Sequence, residues 1–181
     1  MNPIPEKIGK YEVISQLGAG ASSSVYLAYD PFIKRKVAIK LIHAGALRDP
    51  KFGKIYRKQL FAEASLAGQL VYPHIVNIYD AVLDERESYI VMEYVAGGTL
   101  EKHANVDNLL PLDRLVEIAF KCCKALNFAH SRKVIHRDIK PANIMIGGDT
   151  GIKIADFGAA LVPHADTTQI SGIGSPAYMS P

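Results

Sequence analysis

The chain has 181 residues, enough for one large domain or two small lobes, and its 49% hydrophobic and 22% charged composition is that of a soluble globular protein. Its net charge of +3 is too small and too dispersed to favour nucleic acid or a membrane surface as a partner. No apolar run approaches the roughly 18 residues of a membrane span, and Met1–Lys10 lacks the apolar core of a signal peptide. We therefore expect a cytoplasmic location, and a membrane-anchored parent protein stays open.

The first half of the chain is predicted to be mainly β-structure. β-branched and aromatic residues between turn signals predict strands at residues 11–14, 24–28, 36–42, 75–81 and 88–94. Apolar residues recur at helical spacing over residues 51–70, and Val71-Tyr72-Pro73 is expected to end that helix. Gly97-Gly98 then interrupts the pattern. We place the domain boundary there, with domains at 1–95 and 96–181.

A predicted helix dominates the second half. Residues 111–132 carry an apolar stripe at helical spacing, formed by Leu115, Ala119, Cys122, Leu126 and Ala129. Short strands are expected at 143–146 and 151–155, and an extended loop at 159–181. Cys122 and Cys123 are adjacent and cannot sensibly pair with each other, so we expect two buried thiols in a reducing compartment.

A glycine-rich segment lies between the first two predicted strands, with the sequence Gly18-Ala19-Gly20-Ala21-Ser22-Ser23-Ser24-Val25. Glycines allow a backbone to approach phosphate groups and to offer its N–H groups as donors. The segment leads into a strand, which argues against the phosphate loops that open a helix. Taken alone, however, an ordinary hairpin turn is the better interpretation.

Lys40 and Glu63 form a candidate ion pair. Lys40 lies near the end of a predicted strand, where a solvated lysine is the common alternative. Glu63 is the only acid of the helix predicted at 51–70, and it shares a stripe with apolar neighbours. A carboxylate on an inward stripe needs a partner, and Lys40 is the candidate.

The richest block of polar side chains is His136-Arg137-Asp138-Ile139-Lys140-Pro141-Ala142-Asn143, followed thirteen residues later by Asp156-Phe157-Gly158. An acid, a lysine and an asparagine with a second carboxylate downstream suit phosphoryl transfer with bound metal ions. With the glycine-rich segment and Val37-Ala38-Ile39-Lys40, the block resembles the motif set of protein kinases, in particular the bacterial eukaryotic-like Ser/Thr protein kinases. The resemblance runs from about Lys10 to Pro181.

The resemblance implies an α+β, two-lobed kinase-like fold and a role for each motif residue. Asp138 would be the catalytic base, and Lys140, which is typical of Ser/Thr kinases, would hold the transferred phosphoryl group. Asn143 and Asp156 would bind Mg²⁺, with Mn²⁺ as an alternative. His136 would be a structural residue packed near Phe157 rather than an acid–base group.

The same resemblance implies an ATP site, in which Met92 is the gatekeeper and Ser23 replaces the third glycine of the family pattern. Lys40 and Glu63 would orient the phosphates, and backbone groups of Glu93 and Val95 would bind the adenine edge. The remaining nucleotide contacts implied are Leu17, Gly18, Ala19, Gly20, Val25, Ala38 and Met145. Plain core packing is the alternative for each apolar position.

Activation-loop phosphorylation is also implied. Arg137 would pair with a phosphate on one of the hydroxyl residues Thr167, Thr168 and Ser171, for which an ordinary polar loop is the alternative. Ser175 falls where the family positions substrate. Ala67 stands where a larger apolar residue is common, which suggests a mobile Glu63 helix set by a partner or a kinase dimer.

The final residues, Ala177–Pro181, resemble the start of the motif that closes the activation segment, and they stop before its glutamate. We therefore expect a complete five-stranded N-lobe with one helix, a partial helical C-lobe and an exposed apolar face on the helix at 112–132. The implied function is ATP-dependent phosphorylation of Ser/Thr hydroxyls in protein substrates, with weak or no activity for this segment alone. A pseudokinase-like scaffold and a small-molecule phosphotransferase are the alternatives.

Overall fold

The computed structural model describes residues 4–66, 69–84, 87–147, 151–157 and 176–178. The chain divides into two units. The first consists of Met1–Ala67 and Ile78–Tyr94, and the second of Gly68–Asn77 and Val95–Pro181. The short segment before Ile78 thus belongs to the second unit although it interrupts the first in sequence.

The described residues of the first unit form an antiparallel sheet of six strands in the order β1-β2-β3-β4-β6-β5. The strands are β1 Lys7–Ile8, β2 Tyr11–Ala19, β3 Ser23–Asp30, β4 Arg35–Ile42, β5 Ile78–Leu83 and β6 Ser88–Glu93. The β3–β4 turn is closed by Asp30, whose Oδ1 accepts hydrogen bonds from the backbone N–H groups of Phe32 and Ile33. This agrees with the Asp30-Pro31 turn signal in the sequence.

One face of this sheet carries the apolar core of the first unit. Alternate residues of the neighbouring strands point to the same side. The buried cluster is formed by Ile8, Tyr11, Tyr26, Ala28, Val37, Ile39, Tyr89 and Val91. The rings of Tyr11 and Tyr89 pack edge-on with centroids 6.3 Å apart. Burial, with Asp80 nearby, raises the pKa of Tyr11.

Two helices are described in the first unit, α1 at Ala44–Arg48 and α2 at Gly53–Ser65. They meet closely, because a Cβ on Gly53 would lie 2.5 Å from the carbonyl oxygen of Leu47. The sequence predicted only one helix here, over residues 51–70, and it predicted neither α1 nor the two-residue β1. Each of these extra elements is about one turn or two residues long, too short to show a periodic pattern.

The second unit is built around helix α3 at Leu112–Ser131 and an antiparallel hairpin of β7 at Ile144–Ile146 and β8 at Ile152–Ile154. Short 3-10 helices are described at Leu100–His103, Val106–Asn108, Pro141–Asn143 and Pro176–Tyr178. Ile75 extends the hairpin by a parallel bridge to Ile154. No helix in the described part of the chain is long and apolar enough to cross a membrane.

The buried face of α3 agrees in part with the predicted stripe, of which Cys122 and Ala129 are buried and Leu115 and Leu126 are half-buried. The residues that pack inward are Ile118, Cys122, Ala125 and Ala129. Ala119, placed on the inward stripe from sequence, is exposed, and so is Cys123, which was expected to be buried. Leu112, Val116 and Phe120 are exposed on the same helix, so the predicted exposed apolar face is present. Both faces of α3 are apolar, and periodicity alone does not say which one is covered.

The strand predicted at 75–81 is wrong as a single element. Residues Ile78–Leu83 form β5 of the first unit, whereas Ile75 pairs with β8 of the second. The backbone N–H of Val76 donates to the Ile154 carbonyl at 2.9 Å, and the Ile154 N–H donates to the His74 carbonyl at 2.9 Å. The apolar run is therefore shared between two units, which a one-dimensional pattern does not reveal.

Candidate active site

Four of the predicted nucleotide contacts in the sheet lie on the face opposite the apolar core. Val25 pairs with Lys40 across β3 and β4, and Ala38 pairs with Met92 across β4 and β6. Directly paired residues point to the same side, as do residues i and i+2 of one strand. Val25, Ala38, Lys40 and Met92 therefore share one face. Glu93 pairs with Val37 and its side chain falls on the core side.

The glycine-rich segment spans the end of β2 and the start of β3. Gly18 pairs with Val25 and Ala19 with Ser24, so strand pairing reaches further along β2 than the predicted 11–14. Ser23 pairs with Ile42 of β4, and Leu17 is exposed at a register shift of β2. A turn closes where the Gly20 N–H donates to the Ser23 carbonyl at 2.8 Å.

Neither Gly18 nor Gly20 is required by the conformation of this turn. Among the described residues, a Cβ on Gly18 would meet nothing within 4 Å, and one on Gly20 would lie at an ordinary 3.6 Å from the Ser23 carbonyl oxygen. In the described part of the chain, the space beside both glycines is therefore open. Such open backbone is what a closely approaching phosphate chain needs, so the segment fits a nucleotide.

Lys40 and Glu63 form the ion pair expected from sequence. Lys40 Nζ lies 2.9 Å from Glu63 Oε2, and the Glu63 side chain is only 4% exposed. β4 supplies the lysine and α2 the glutamate, so the contact joins the helix to the sheet. Removing one member of a buried pair leaves an uncompensated charge and costs about 3–5 kcal/mol. The pair consequently holds both side chains in position.

His136 is buried, at 1% exposed, and joins two segments of the second unit. Its Nε2–H donates to the Ala155 carbonyl at 3.1 Å, and its Nδ1 accepts the Asp138 backbone N–H at 3.2 Å. Its ring packs against Phe157 with centroids 4.5 Å apart. Burial lowers the pKa of His136 and favours the neutral ring that these contacts require. The expected packing near Phe157 is confirmed.

Asp138 is held by its neighbours in the same loop. Its Oδ2 lies 2.8 Å from Lys140 Nζ, and it also accepts the Asn143 Nδ2 hydrogen bond at 3.1 Å. The same Asn143 nitrogen donates to the Asp138 carbonyl at 2.8 Å. The side chain of Asp138 is 14% exposed, so the carboxylate is oriented and largely withdrawn from solvent. The structure thus brings these three predicted residues into one hydrogen-bonded cluster.

Asn143 and Asp156 are brought near each other along the backbone. The Ala155 N–H donates to the Asn143 carbonyl at 2.9 Å, which places the residue before Asp156 beside Asn143. Arg137 and Asp156 have positive φ angles of 66° and 62°, a conformation uncommon outside glycine. The side-chain amide nitrogen of Asn143 donates hydrogen bonds to Asp138. The side-chain amide oxygen of Asn143 and the carboxylate oxygens of Asp156 are the kind of ligand that Mg²⁺ prefers. These residues fit a magnesium ion.

Two further nucleotide contacts from the sequence lie in the second unit. Val95 is buried, at 6% exposed, and belongs to that unit although sequence placed it in the first domain. Met145 is half-buried and pairs with Lys153. Gly158, Thr167, Thr168, Ser171, Ser175 and Ala67 lie outside the described residues.

One polar contact near the glycine-rich segment has no sequence signal. Ser24 Oγ and His43 Nε2 lie 2.9 Å apart, although the two residues are nineteen positions apart in the chain. Neither residue belongs to a motif that predicts a role for its side chain. Only the register of β3 on β4, which a residue pattern does not give, could have indicated this contact.

Comparison with known proteins agrees with this geometry. Residues 11–181 match the family model described as protein kinase domain. Serine/threonine-protein kinase PknB of Mycobacterium leprae is 40% identical over 189 residues, covering 100% of this chain and 30% of that protein. Serine/threonine-protein kinase PrkC of Bacillus subtilis is 37% identical over 175 residues, covering 96% of this chain and 26% of that protein.

A solved structure shows the same fold. The crystal structure of the Mycobacterium tuberculosis PknI kinase domain matches with a TM-score of 0.69 at 30% identity, covering 84% of this chain and 61% of that one. The fold is therefore the α+β protein kinase fold, as the sequence predicted. The chain belongs to the protein kinase domain family. It spans 26–30% of the length of these two curated relatives.

Proposed function

We propose that the protein is a serine/threonine protein kinase that transfers the γ-phosphoryl group of ATP to Ser or Thr hydroxyls of protein substrates in signal transduction. The observation that carries this proposal is the cluster in which Lys140 and Asn143 hold the Asp138 carboxylate. PknB and PrkC, two relatives over nearly the whole chain, are named Ser/Thr protein kinases, which supports the same activity.

Asp138 is the catalytic base in this proposal. Its carboxylate accepts the proton of the substrate hydroxyl as the hydroxyl oxygen attacks the γ-phosphorus. The bond from that phosphorus to the β,γ-bridging oxygen breaks, and ADP leaves with the bonding electrons. Lys140, beside Asp138, stabilises the negative charge on the transferred group. Asn143 keeps the carboxylate in place for this step.

In this proposal ATP is held by the nucleotide contacts that the family resemblance implies. Glu63 orients Lys40 toward the phosphates of ATP, and the segment from Gly18 to Ser23, with Leu17 beside it, covers them. Val25, Ala38 and Met92 contact the base from the sheet face that they share. Backbone groups of Glu93 and Val95, and the side chain of Met145, complete the adenine contacts.

Asn143 and Asp156 would hold Mg²⁺, with Mn²⁺ as an alternative. When bound, the ion would neutralise phosphate charge. The contacts of His136 to Ala155 and Phe157 fix the residues on either side of Asp156, so that its carboxylate is presented in a defined direction.

Regulation and organisation follow from the same proposal. Arg137 pairs with a phosphate placed on Thr167, Thr168 or Ser171 by autophosphorylation between the two copies of a kinase dimer. Residues 1–95 correspond to the N-lobe and residues 96–181 to C-lobe elements, with the difference that Gly68–Asn77 and Val95 group with the second unit. The domain acts in the cytoplasm, where ATP is supplied, and this includes the case of a membrane-anchored parent protein.

The proposal is tested by Asp138→Asn in the protein. We expect phosphate transfer from γ-labelled ATP to casein, or to the protein itself, to fall about 10²–10⁴-fold, the usual contribution of a positioned acid–base group. The matched control is Asp107→Asn, which changes an exposed acid of the same unit and should leave transfer unchanged. Equal transfer by the Asp138→Asn protein and wild type would contradict the assignment.

A further inference from the structure

His43 contacts the glycine-rich segment at three points. It follows β4 directly and precedes α1. Its backbone N–H donates to the Ser22 carbonyl at 2.9 Å. Its ring Nδ1 lies 3.4 Å from the Ala21 carbonyl oxygen and its ring Nε2 lies 2.9 Å from Ser24 Oγ. One residue thereby contacts Ala21, Ser22 and Ser24 of the segment.

The chemistry of the partners assigns the ring protons. A carbonyl oxygen only accepts, so Nδ1 must donate to Ala21. In the neutral ring Nε2 then accepts, and the Ser24 hydroxyl donates to it. Ser24 is 5% exposed, so this hydroxyl is largely withdrawn from water and the contact replaces its hydration. The two ring contacts are thus mutually consistent.

The place of His43 in the sheet ties these contacts to Lys40. Ser24 pairs with Leu41, and Val25 pairs with Lys40. His43 continues β4 by one residue past Ile42 and binds the chain just before β3. Residues 21–24 of the glycine-rich segment are therefore hydrogen-bonded to the end of β4 and to His43. Lys40 lies on the same strand, three residues before His43.

We propose that His43, acting through Ala21 and Ser24, is a positioning residue that holds the glycine-rich segment in the form that receives the phosphates of ATP. This inference rests on the proposed kinase function and adds to it a residue that acts on nucleotide affinity and not on phosphate transfer. The His43 ring orders residues 21–24 before the nucleotide binds. Without the ring, the free-energy cost of ordering these residues falls on ATP binding, and the affinity for ATP is lower.

The experiment uses His43→Leu, Ser24→Ala and the double variant. Each single variant should raise the KM for ATP about two- to tenfold, the effect of one hydrogen bond, while kcat stays within about twofold. The double variant should be no worse than the more affected single one, because both changes remove the same contact. His43→Gln, which keeps a polar group near Ser24, should restore part of the affinity.

The matched control is His103→Leu. His103 also contacts a backbone carbonyl through Nδ1, that of Asn108 at 3.1 Å, but in the second unit. The His103→Leu variant should have the same KM for ATP as wild type. A second measurement needs no nucleotide: hydrogen exchange in the peptide containing residues 20–24 should be faster in His43→Leu and Ser24→Ala than in wild type.

The outcomes separate the two proposals. An unchanged KM with unchanged exchange in both single variants overturns the positioning role, as does a double variant whose fold-change is the product of the singles. Failure of the wild-type protein to bind ATP in calorimetry counts against the kinase function instead. In that case the exchange measurement still decides whether His43 orders the segment.

Discussion

At the scale of single residues, His136 shows how an uncharged side chain organises a charged site. It is buried, it bonds to Ala155 and Asp138, and it packs on Phe157. A second proton on Nδ1 would remove the acceptor that the Asp138 N–H requires. Desolvation by burial lowers the pKa of His136, although Asp156 and Asp138 nearby favour the charged form. The neutral ring therefore contributes to both structure and placement of the acids.

We expect this histidine to make stability depend on pH. The unfolded chain binds the His136 proton at a higher pH than the folded chain, so protonation favours unfolding. The stabilisation should be complete above about pH 6.5, the pKa of a histidine in an unfolded chain, and should be lost as the pH falls toward the lowered folded-state pKa. Urea unfolding of wild type and His136→Gln across this range measures the difference.

The control for that experiment is Phe157→Leu. This change weakens the packing on His136 but keeps the titrating group, so it should lower the free energy of unfolding while retaining its pH dependence. An equally steep pH dependence in wild type and in His136→Gln would show that other groups cause it.

At the scale of elements, backbone segments of the second unit approach each other closely at two glycines. Gly97 and Gly147 have φ angles of 133° and 138°. A Cβ on Gly97 would lie 2.0 Å from the Ile146 carbonyl oxygen, and one on Gly147 would lie 1.8 Å from that of Ala96. The Ile146 N–H donates to the Gly98 carbonyl at 2.8 Å. The residues after β6 are thus packed directly on the end of β7, which carries Met145.

Gly97→Ala is therefore expected to destabilise the protein by about 1–3 kcal/mol or more, because the backbone is strained for an L-residue and a carbonyl blocks the Cβ. Gly45→Ala is the matched control: a Cβ there would meet no described residue within 4 Å, and Gly45 lies in α1. It should be neutral or stabilising by up to about 1 kcal/mol. Chemical unfolding measures the free energy of unfolding of both variants. Equal free energies for Gly97→Ala and Gly45→Ala would contradict the prediction.

At the scale of the whole molecule, each unit holds one half of the proposed chemistry in a local cluster. Lys40 and Glu63 are paired within the first unit, and Asp138, Lys140 and Asn143 within the second. The presence of both clusters argues against the scaffold alternative, because a scaffold has no need to keep a buried ion pair and a held carboxylate.

Mg·ATP should accordingly stabilise the whole protein against heat. At a ligand concentration of about 100 times Kd, linkage adds about 2.7 kcal/mol to the free energy of unfolding. Lys40→Met should lose most of the resulting rise in Tm, and Asp156→Asn should lose its magnesium-dependent part, whereas Asp107→Asn should keep the full rise. A melting series measures this. An equal rise for wild type and Asp156→Asn would favour a nucleotide-binding scaffold.

Much of the site could be predicted from sequence because its residues either are close together in the chain or are the only residue of their charge in an element. The block from His136 to Asn143 is one loop, and its chemistry can be recognised from residue types and spacing. Glu63 could be paired with Lys40 because it is the only acid of its helix. The packing of His136 near Phe157 came from the family resemblance rather than from any pattern.

Other features depend on contacts distant in sequence. The limits of the buried face of α3 are decided by the elements that cover it, so the predictions for Ala119 and Cys123 were wrong. The predicted strand at 75–81 is divided because Ile75 forms a parallel bridge with Ile154 of β8. His43 and Ser24 meet only because β3 lies on β4 in one particular register.

The sequence by itself determined the family, the kind of strands and helices, and the residue types of the site, since these are carried by local composition and spacing. Tertiary structure alone decided the strand register, the limits of the buried face of α3 and the anchoring of the glycine-rich segment by His43. The physical reason is that hydrogen bonds and packing between segments depend on positions in space, and residues far apart in the chain carry no local signal of their meeting.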